Sequence, residues 1–114
     1  MPSPTVTTGD VVRWGLSRFV IADVQSGSAV LCRVKQVRDM RYRADVPVHF
    51  PDTITLGLTD GAVIRCKPRV CFNLADLVPV GSVSSSLMVR IKIAIEREMD
   101  ARRIEAGIPK YLVV

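Results

Sequence analysis

The chain has 114 residues, a length typical of a single domain, and 48% of them are hydrophobic, which suffices for a buried core. Because only 5% are aromatic, we expect a core of valine, isoleucine and leucine. The net charge of +5 favours an anionic partner, and the charge alone leaves open nucleic acid, acidic lipid or an acidic protein segment. No apolar run reaches the ~18 residues of a membrane span, and MPSPTVTTGD lacks the charge and apolar run of a secretory signal, so we expect a cytoplasmic protein without membrane contact.

The first half of the chain predicts short strands separated by tight turns. Residues 1–8 are rich in proline, serine and threonine and are expected to be flexible. Strands are predicted over residues 11–14, 18–24 and 29–37, and QSGS at 25–28 predicts a hairpin loop in which Gly27 takes a positive φ. The charged, aperiodic residues 38–45 predict an exposed loop.

Further strands are predicted before the pattern changes. Residues 46–50 predict an edge strand, because Pro47 cannot donate a hydrogen bond to a neighbouring strand. Residues 53–58 and 62–67 predict two strands joined by a turn at Asp60 and Gly61. Residues 69–80 predict one or two short extended pieces.

A helical pattern begins after Gly81. The serines at 84–86 are candidate N-caps, and the helix is predicted over about residues 85–104, ending near Gly107 and before Pro109. Its apolar stripe is predicted to consist of Leu87, Met88, Ile91, Ala94, Ile95 and Met99. The apolar tail at 108–114 is expected to add to a sheet edge, to pack on a partner, or to be disordered.

Together these elements predict a mainly β fold with a C-terminal helix, in one domain spanning residues 9–107. Strands this short avoid open edges by curling into a small antiparallel barrel. The helix is expected to cover one side of that barrel with its apolar stripe.

Several kinds of catalytic site are excluded by the residue inventory. The single histidine, His49, excludes a nuclease mechanism that needs two histidines, and no glycine-rich phosphate loop is present. The five-residue spacing of Cys66 and Cys71 does not suit zinc. We therefore expect Cys32, Cys66 and Cys71 to be buried free thiols, and we expect neither a metal nor another cofactor.

Basic residues form two groups. In the first, strand alternation places Arg33 and Lys35 on one face, and Arg38, Arg41 and Arg43 follow in the predicted loop. In the second, alternation places Arg65, Lys67 and Arg69 on one strand face. Because the guanidinium group suits phosphate oxygens, the two groups on neighbouring strands predict a trough for a phosphodiester backbone. Tyr42 and Trp14 are candidates for stacking on a base. The alternative is an ordinary solvated basic surface.

The order of these segments resembles the toxin superfamily that includes the MazF and PemK ribonucleases and the CcdB gyrase poisons. The similar segments are GDVV at 9–12, RFVI at 18–21, the apolar strand at 30–37, AVIR at 62–65, and GSVS at 81–84 before the helix. The chain departs from the ribonucleases in having Phe19 after Arg18 where they have proline. It also has no hydroxyl residue among residues 35–37, so Thr53 or Thr55 would have to replace it.

This resemblance implies an SH3-like, CcdB-like barrel that forms a homodimer and is neutralised by an antitoxin protein. It implies the toxin of a type II toxin–antitoxin system, a metal-independent endoribonuclease that cleaves single-stranded RNA. Arg18 would correspond to the catalytic arginine, which stabilises charge on the phosphate during attack by the 2′-hydroxyl. The alternatives are a non-enzymatic, CcdB-like gyrase poison and a catalytically silent nucleic-acid-binding barrel.

Overall fold

The computed structural model describes residues 6–36, 41–58 and 61–107. Its elements in chain order are β1 (Asp10–Trp14), β2 (Ser17–Gln25), β3 (Ser28–Gln36), β4 (Asp45–Pro47), α1 (Asp52–Thr55), β5 (Ala62–Cys71), β6 (Val78–Ser82) and α2 (Ser85–Glu105). A 3₁₀ turn at Leu74–Asp76 lies between β5 and β6. No helix in these described ranges has the length and apolar character needed to cross a membrane.

The strands form one antiparallel sheet in the order β4-β5-β3-β2-β1-β6. Tight turns join β1 to β2 and β2 to β3, and each uses a glycine at positive φ, Gly15 at 62° and Gly27 at 79°. The predicted antiparallel, mainly β fold with a C-terminal helix is confirmed. The sheet is not closed, since β4 and β6 form its two edges, and it remains consistent with a barrel-like fold.

Apolar side chains are buried on both faces of this sheet. On one face, Val20, Cys32 and Ile64 pack with Leu87 and Ile91 of α2. A second cluster on the other face contains Val12, Phe19, Ile21, Leu31 and Leu77. Since β2 contributes to both clusters, four consecutive residues from Phe19 to Ala22 are buried, which explains why its sequence does not alternate.

The helix α2 begins and ends within one residue of the predicted limits. Ser84 is its N-cap, and the Ser84 side chain accepts a hydrogen bond from the Leu87 backbone N–H. The predicted apolar stripe is wrong at its last position, because Met99 is 48% exposed and Glu98 is buried at 1%. A stripe with 3.6-residue periodicity that contains Leu87 and Ile91 continues through residue 98, so the burial of Glu98 follows from helical geometry.

The strand predicted over residues 53–58 is wrong: this segment contains the short helix α1. The Leu56 N–H donates to the Asp52 carbonyl oxygen at 2.9 Å, which closes a helical turn. The Asp52 carboxylate accepts hydrogen bonds from the Ser84 N–H at 2.8 Å and the Ser84 hydroxyl at 2.6 Å, so α1 is tied to the start of α2. Tertiary hydrogen bonding has overridden the β preference of the threonine and isoleucine residues.

Smaller differences concern the termini and the cysteines. Of the predicted flexible segment at 1–8, residues 6–8 are described, and Val6 is buried in the second cluster. The tail at 108–114 lies outside the described residues. Cys32, Cys66 and Cys71 are free and buried, as predicted. A hydrogen bond with Cys32 together with burial raises the pKa of the Cys66 thiol, so this thiol remains protonated.

Candidate nucleic-acid interface

The two basic groups meet on adjacent strands of the sheet. Arg33 of β3 lies directly opposite Arg65 of β5 in the antiparallel register. Lys35 follows Arg33 by two residues and Lys67 follows Arg65 by two, so alternation directs all four side chains to the same face. The structure therefore places these four cations on one face of two neighbouring strands, as the alternation predicted.

These side chains line a hollow of about 330 Å³, here called the basic pocket. Its lining residues are Arg33, Lys35, Arg65, Lys67, Pro68, Arg69 and Arg102. Within the described part of the chain, no ion pair involves Arg33, Lys35, Lys67 or Arg69. The pocket therefore concentrates positive charge on one face of the protein, which suits an anionic ligand.

One wall of the basic pocket is fixed by an ion pair between Arg65 and Asp45. The Arg65 guanidinium donates to both Asp45 carboxylate oxygens, at 2.8 and 2.9 Å. Burial opposes the charge of Asp45, but the hydrogen bonds from Arg65 and from the Tyr42 N–H outweigh it and lower the pKa of this carboxyl group. Asp45 thus neutralises Arg65 and holds it in one orientation.

The Tyr42 ring lies next to cations of the basic pocket. The Lys67 Nζ is 4.6 Å from the ring centroid, and the Arg65 guanidinium carbon is 5.9 Å from it. Both distances allow cation–π attraction. Tyr42, proposed from the sequence as a base-stacking residue, therefore has a ring that packs against the protein's own cations.

Trp14 lines a second hollow beside the basic pocket, here called the Trp14 hollow. It has a volume of about 240 Å³ and is lined by Trp14, Gly15, Ser17, Phe19, Arg33 and Arg69. Arg33 and Arg69 line both hollows, and the Arg69 guanidinium carbon is 5.6 Å from the Trp14 ring centroid. An aromatic surface therefore adjoins the clustered cations on the same side of the sheet.

Of the basic residues in the predicted loop, the described Arg41 and Arg43 do not line the basic pocket. Arg43 donates to Glu98 at 2.6 Å and forms an ion pair with Glu105 at 2.5 Å, so its charge is used within the protein. Arg41 is exposed just before β4, and Arg38 lies outside the described residues.

Arg18 lies on the other face of the sheet from Arg33. Its neighbour Phe19 lies opposite Arg33 in the register between β2 and β3, and adjacent strand residues point to opposite faces. The Arg18 guanidinium donates to the Leu56 carbonyl oxygen and lines a depression of about 150 Å³ together with Arg13 and Thr55. Thr55, a candidate for the missing hydroxyl residue, is thus beside Arg18, whereas Thr53 does not line this depression.

Sequence reasoning missed Glu98, whose side chain is fully buried. Its carboxylate accepts hydrogen bonds from the Tyr42 hydroxyl at 2.6 Å, from Arg43 at 2.6 Å and from Arg102 at 2.8 Å. Burial opposes the charge, but these hydrogen bonds outweigh it and lower the pKa of Glu98 to about 2. Glu98 is therefore ionised at neutral pH despite its burial.

Arg102 was not singled out from the sequence as a site residue either. It is the residue that α2 contributes to the basic pocket, and its link to Glu98 spans one helical turn. In the described ranges, no group of three or more histidine, cysteine, aspartate or glutamate side chains is arranged to hold a metal ion.

Comparison with known proteins gives similarity in structure alone. No protein-family model matches the sequence, and no curated protein matches it. A chain of the MazE–MazF structure from Deinococcus radiodurans superposes with a TM-score of 0.66 at 13% identity, covering 85% of this chain and 98% of its own. An endoribonuclease from a mycobacterial species superposes with a TM-score of 0.63 at 17% identity, covering 96% of this chain and 98% of its own.

A structure of an endoribonuclease in complex with its cognate antitoxin, also from a mycobacterial species, superposes with a TM-score of 0.61 at 17% identity, covering 92% of this chain and 98% of its own. These similarities show that the chain shares its fold with these MazF and endoribonuclease structures.

Proposed function

We propose that this protein is the toxin of a type II toxin–antitoxin system and cleaves single-stranded RNA as an endoribonuclease without a metal ion. The observation that carries the proposal is the basic pocket and its adjoining Trp14 hollow, on a fold that resembles MazF. A hollow lined by cations next to an aromatic surface matches the two needs of single-strand binding: backbone neutralisation and base stacking.

In this proposal the RNA backbone runs along the basic pocket. Arg33, Lys35 and Lys67 contact phosphate oxygens, while Asp45 keeps Arg65 in place. Each phosphate contact is expected to add about 0.7 to the slope of log affinity against log salt for a single strand. A base next to that segment stacks on Trp14, an interaction worth about 1–3 kcal/mol per base.

The chemical step is assigned to Arg18, which lies on the other face of the sheet from the basic pocket, so the RNA strand must pass around the β1–β2 turn beside the Trp14 hollow for its scissile phosphate to reach Arg18. The 2′-oxygen attacks the adjacent phosphorus and gives up its proton to water, the bond to the 5′-oxygen breaks, and that oxygen takes up a proton from water, so that a 2′,3′-cyclic phosphate and a 5′-hydroxyl result. Negative charge develops on the phosphate oxygens during this attack, and a fixed guanidinium stabilises it mainly in the transition state. Arg13 and Thr55, which share the depression with Arg18, are placed to hold the same phosphate.

The same proposal includes two protein partners, a second copy of the chain and an antitoxin. We propose a homodimer in the cytoplasm and a separate antitoxin protein, in line with the antitoxin complexes of the mycobacterial endoribonuclease and of the Deinococcus MazE–MazF pair. Co-expression with the neighbouring open reading frame should relieve growth inhibition if that frame encodes the antitoxin.

Incubation of the purified protein with single-stranded RNA and EDTA tests the activity. Discrete products that end in a cyclic phosphate are expected, and Arg18→Ala should abolish them while circular dichroism remains unchanged. Loss of cleavage in Arg33→Ala with retention in Arg18→Ala would move the chemistry to the basic pocket.

A catalytically silent RNA-binding barrel is the second candidate, and the placement of Arg18 on the other face from Arg33 favours it. Salt-sensitive RNA binding without any product would support this alternative. Gyrase-dependent DNA breaks without RNA cleavage would instead support the gyrase-poison alternative.

A further inference from the structure

We infer that Glu98 and Tyr42 form a positioning unit that holds Lys67 and Arg102 in place for RNA binding. The inference rests on the proposed function, because it assigns a role within the same basic pocket. Neither Glu98 nor Tyr42 lines the pocket. Both residues act through side chains that do line it.

The first connection runs from Glu98 through the Tyr42 ring. The buried Glu98 carboxylate accepts a 2.6 Å hydrogen bond from the Tyr42 hydroxyl, which fixes the far end of the ring. The Lys67 Nζ is 4.6 Å from the centroid of that ring. Lysine has a flexible side chain with a large rotamer entropy, so a fixed ring under its ammonium group limits where the charge can be.

The second connection runs directly from Glu98 to Arg102. The Arg102 Nε donates to the same carboxylate oxygen that accepts from Tyr42, at 2.8 Å. Arg102 lines the basic pocket, whereas the neighbouring Arg103 forms an ion pair with Asp100 on α2. A single carboxylate therefore organises two cations that approach the pocket from different elements, Lys67 from β5 and Arg102 from α2.

For a change at Glu98, this arrangement predicts a change in RNA affinity opposite to the one that simple electrostatics predicts. Replacing Glu98 by glutamine removes a negative charge near the basic pocket, and charge alone would then make RNA bind more tightly. If Glu98 positions the cations, the same change weakens binding, because Lys67 and Arg102 are no longer held in fixed places. Glu96 is exposed on the same helix, so Glu96→Gln is the matched control for the charge.

The test measures binding of a fluorescein-labelled, single-stranded 2′-O-methyl oligoribonucleotide by anisotropy in EDTA, between about 50 and 200 mM salt. The 2′-O-methyl group prevents cleavage, so that binding is measured alone. Glu98→Gln is expected to reduce affinity at least about threefold and to lower the salt slope by about 0.7 for each phosphate group that the variant no longer neutralises. Glu96→Gln is expected to leave affinity unchanged or raise it slightly.

Tyr42→Phe is the second variant, and it also covers the case in which Glu98→Gln fails to fold. It keeps the ring and every charge but removes the hydrogen bond to Glu98, so a loss of affinity reports the position of the ring and not the charge. Tyr42→Leu removes the ring as well and is expected to weaken binding further.

The outcomes distinguish failure of the proposed function from failure of the positioning role of Glu98 and Tyr42. Wild-type protein that does not bind the oligonucleotide overturns the proposed function and this inference with it. Wild-type binding that is retained at full strength in folded Glu98→Gln, or in both Tyr42 variants, overturns the positioning role alone. Weaker binding in Glu98→Gln and Tyr42→Phe, with Glu96→Gln unaffected, supports it.

Discussion

Arg33 and Arg65 lie directly opposite each other on β3 and β5, although both side chains are positively charged. Like charges at directly opposed positions of an antiparallel pair destabilise a sheet. Asp45 forms an ion pair with Arg65 and so compensates the charge of Arg65, but it does not compensate the charge of Arg33. Arg33 therefore adds repulsion to the fold, and under the proposed function this exposed cation would serve RNA binding.

Replacing Arg33 by glutamine should raise the free energy of unfolding by about 0.2–1 kcal/mol, because the repulsion with Arg65 is relieved. The same variant should bind single-stranded RNA more weakly and with a smaller salt slope. Urea denaturation followed by the fluorescence of the single tryptophan, together with RNA anisotropy, measures both effects. Arg97→Gln, an exposed helix position outside the basic pocket, controls for the loss of charge, and equal effects in the two variants would contradict the prediction.

Asp45→Asn should lower the free energy of unfolding by about 2–3 kcal/mol, because it leaves the mostly buried Arg65 guanidinium without its carboxylate. Asp100→Asn is the matched control. Its ion pair with Arg103 involves a carboxylate that is 51% exposed, so that change should stay below about 1 kcal/mol. Urea titration of both variants gives the comparison, and a similar small loss in each would show that the Asp45 pair adds little.

The contribution of Glu98 to the free energy of unfolding should decrease at acidic pH. Its pKa is lowered to about 2 in the folded protein, so the stabilisation is complete above the pKa of the unfolded chain, about 4.3, and is lost as pH falls through 2. At pH 7 we expect Glu98→Gln to lower the free energy of unfolding by about 3–5 kcal/mol. The difference between wild type and variant should shrink between pH 4.3 and pH 2 in urea titrations. A difference that stays constant over that range would contradict the lowered pKa.

Ser84→Ala should destabilise the protein by about 1–2 kcal/mol, because Ser84 caps α2 and its hydroxyl also donates to the buried Asp52. Ser85→Ala, at the exposed first position of the helix, should change stability by less than about 0.5 kcal/mol. Thermal unfolding by circular dichroism distinguishes the two. Equal effects would mean that the capping and the contact with Asp52 contribute nothing beyond helix propensity.

Period-two alternation was sufficient to predict that Arg33 and Lys35 share a face and that Arg65, Lys67 and Arg69 do as well. It depends on strand geometry, which the neighbouring turns and apolar residues indicate locally. The strand predicted over residues 53–58 failed for the opposite reason. Whether a short segment of threonine and isoleucine becomes a strand or a helical turn depends on distant partners, here Ser84.

The positions of Arg18 and Glu98 could not be derived from the sequence for related reasons. Arg18 had a predicted role by resemblance, but its face depends on the register with Arg33, which local sequence does not encode. Glu98 lies in the buried stripe of α2 at a position where an apolar residue is usual. Its burial is tolerated because Tyr42 and Arg43 come from a segment more than fifty residues earlier.

Within the described ranges, both edge strands of the sheet carry a proline, Pro47 in β4 and Pro79 in β6. A proline lacks the backbone N–H that an incoming strand would need, so neither margin can continue into an uninterrupted ladder with another molecule. The two prolines therefore disfavour edge-to-edge stacking of copies of the chain into fibrils.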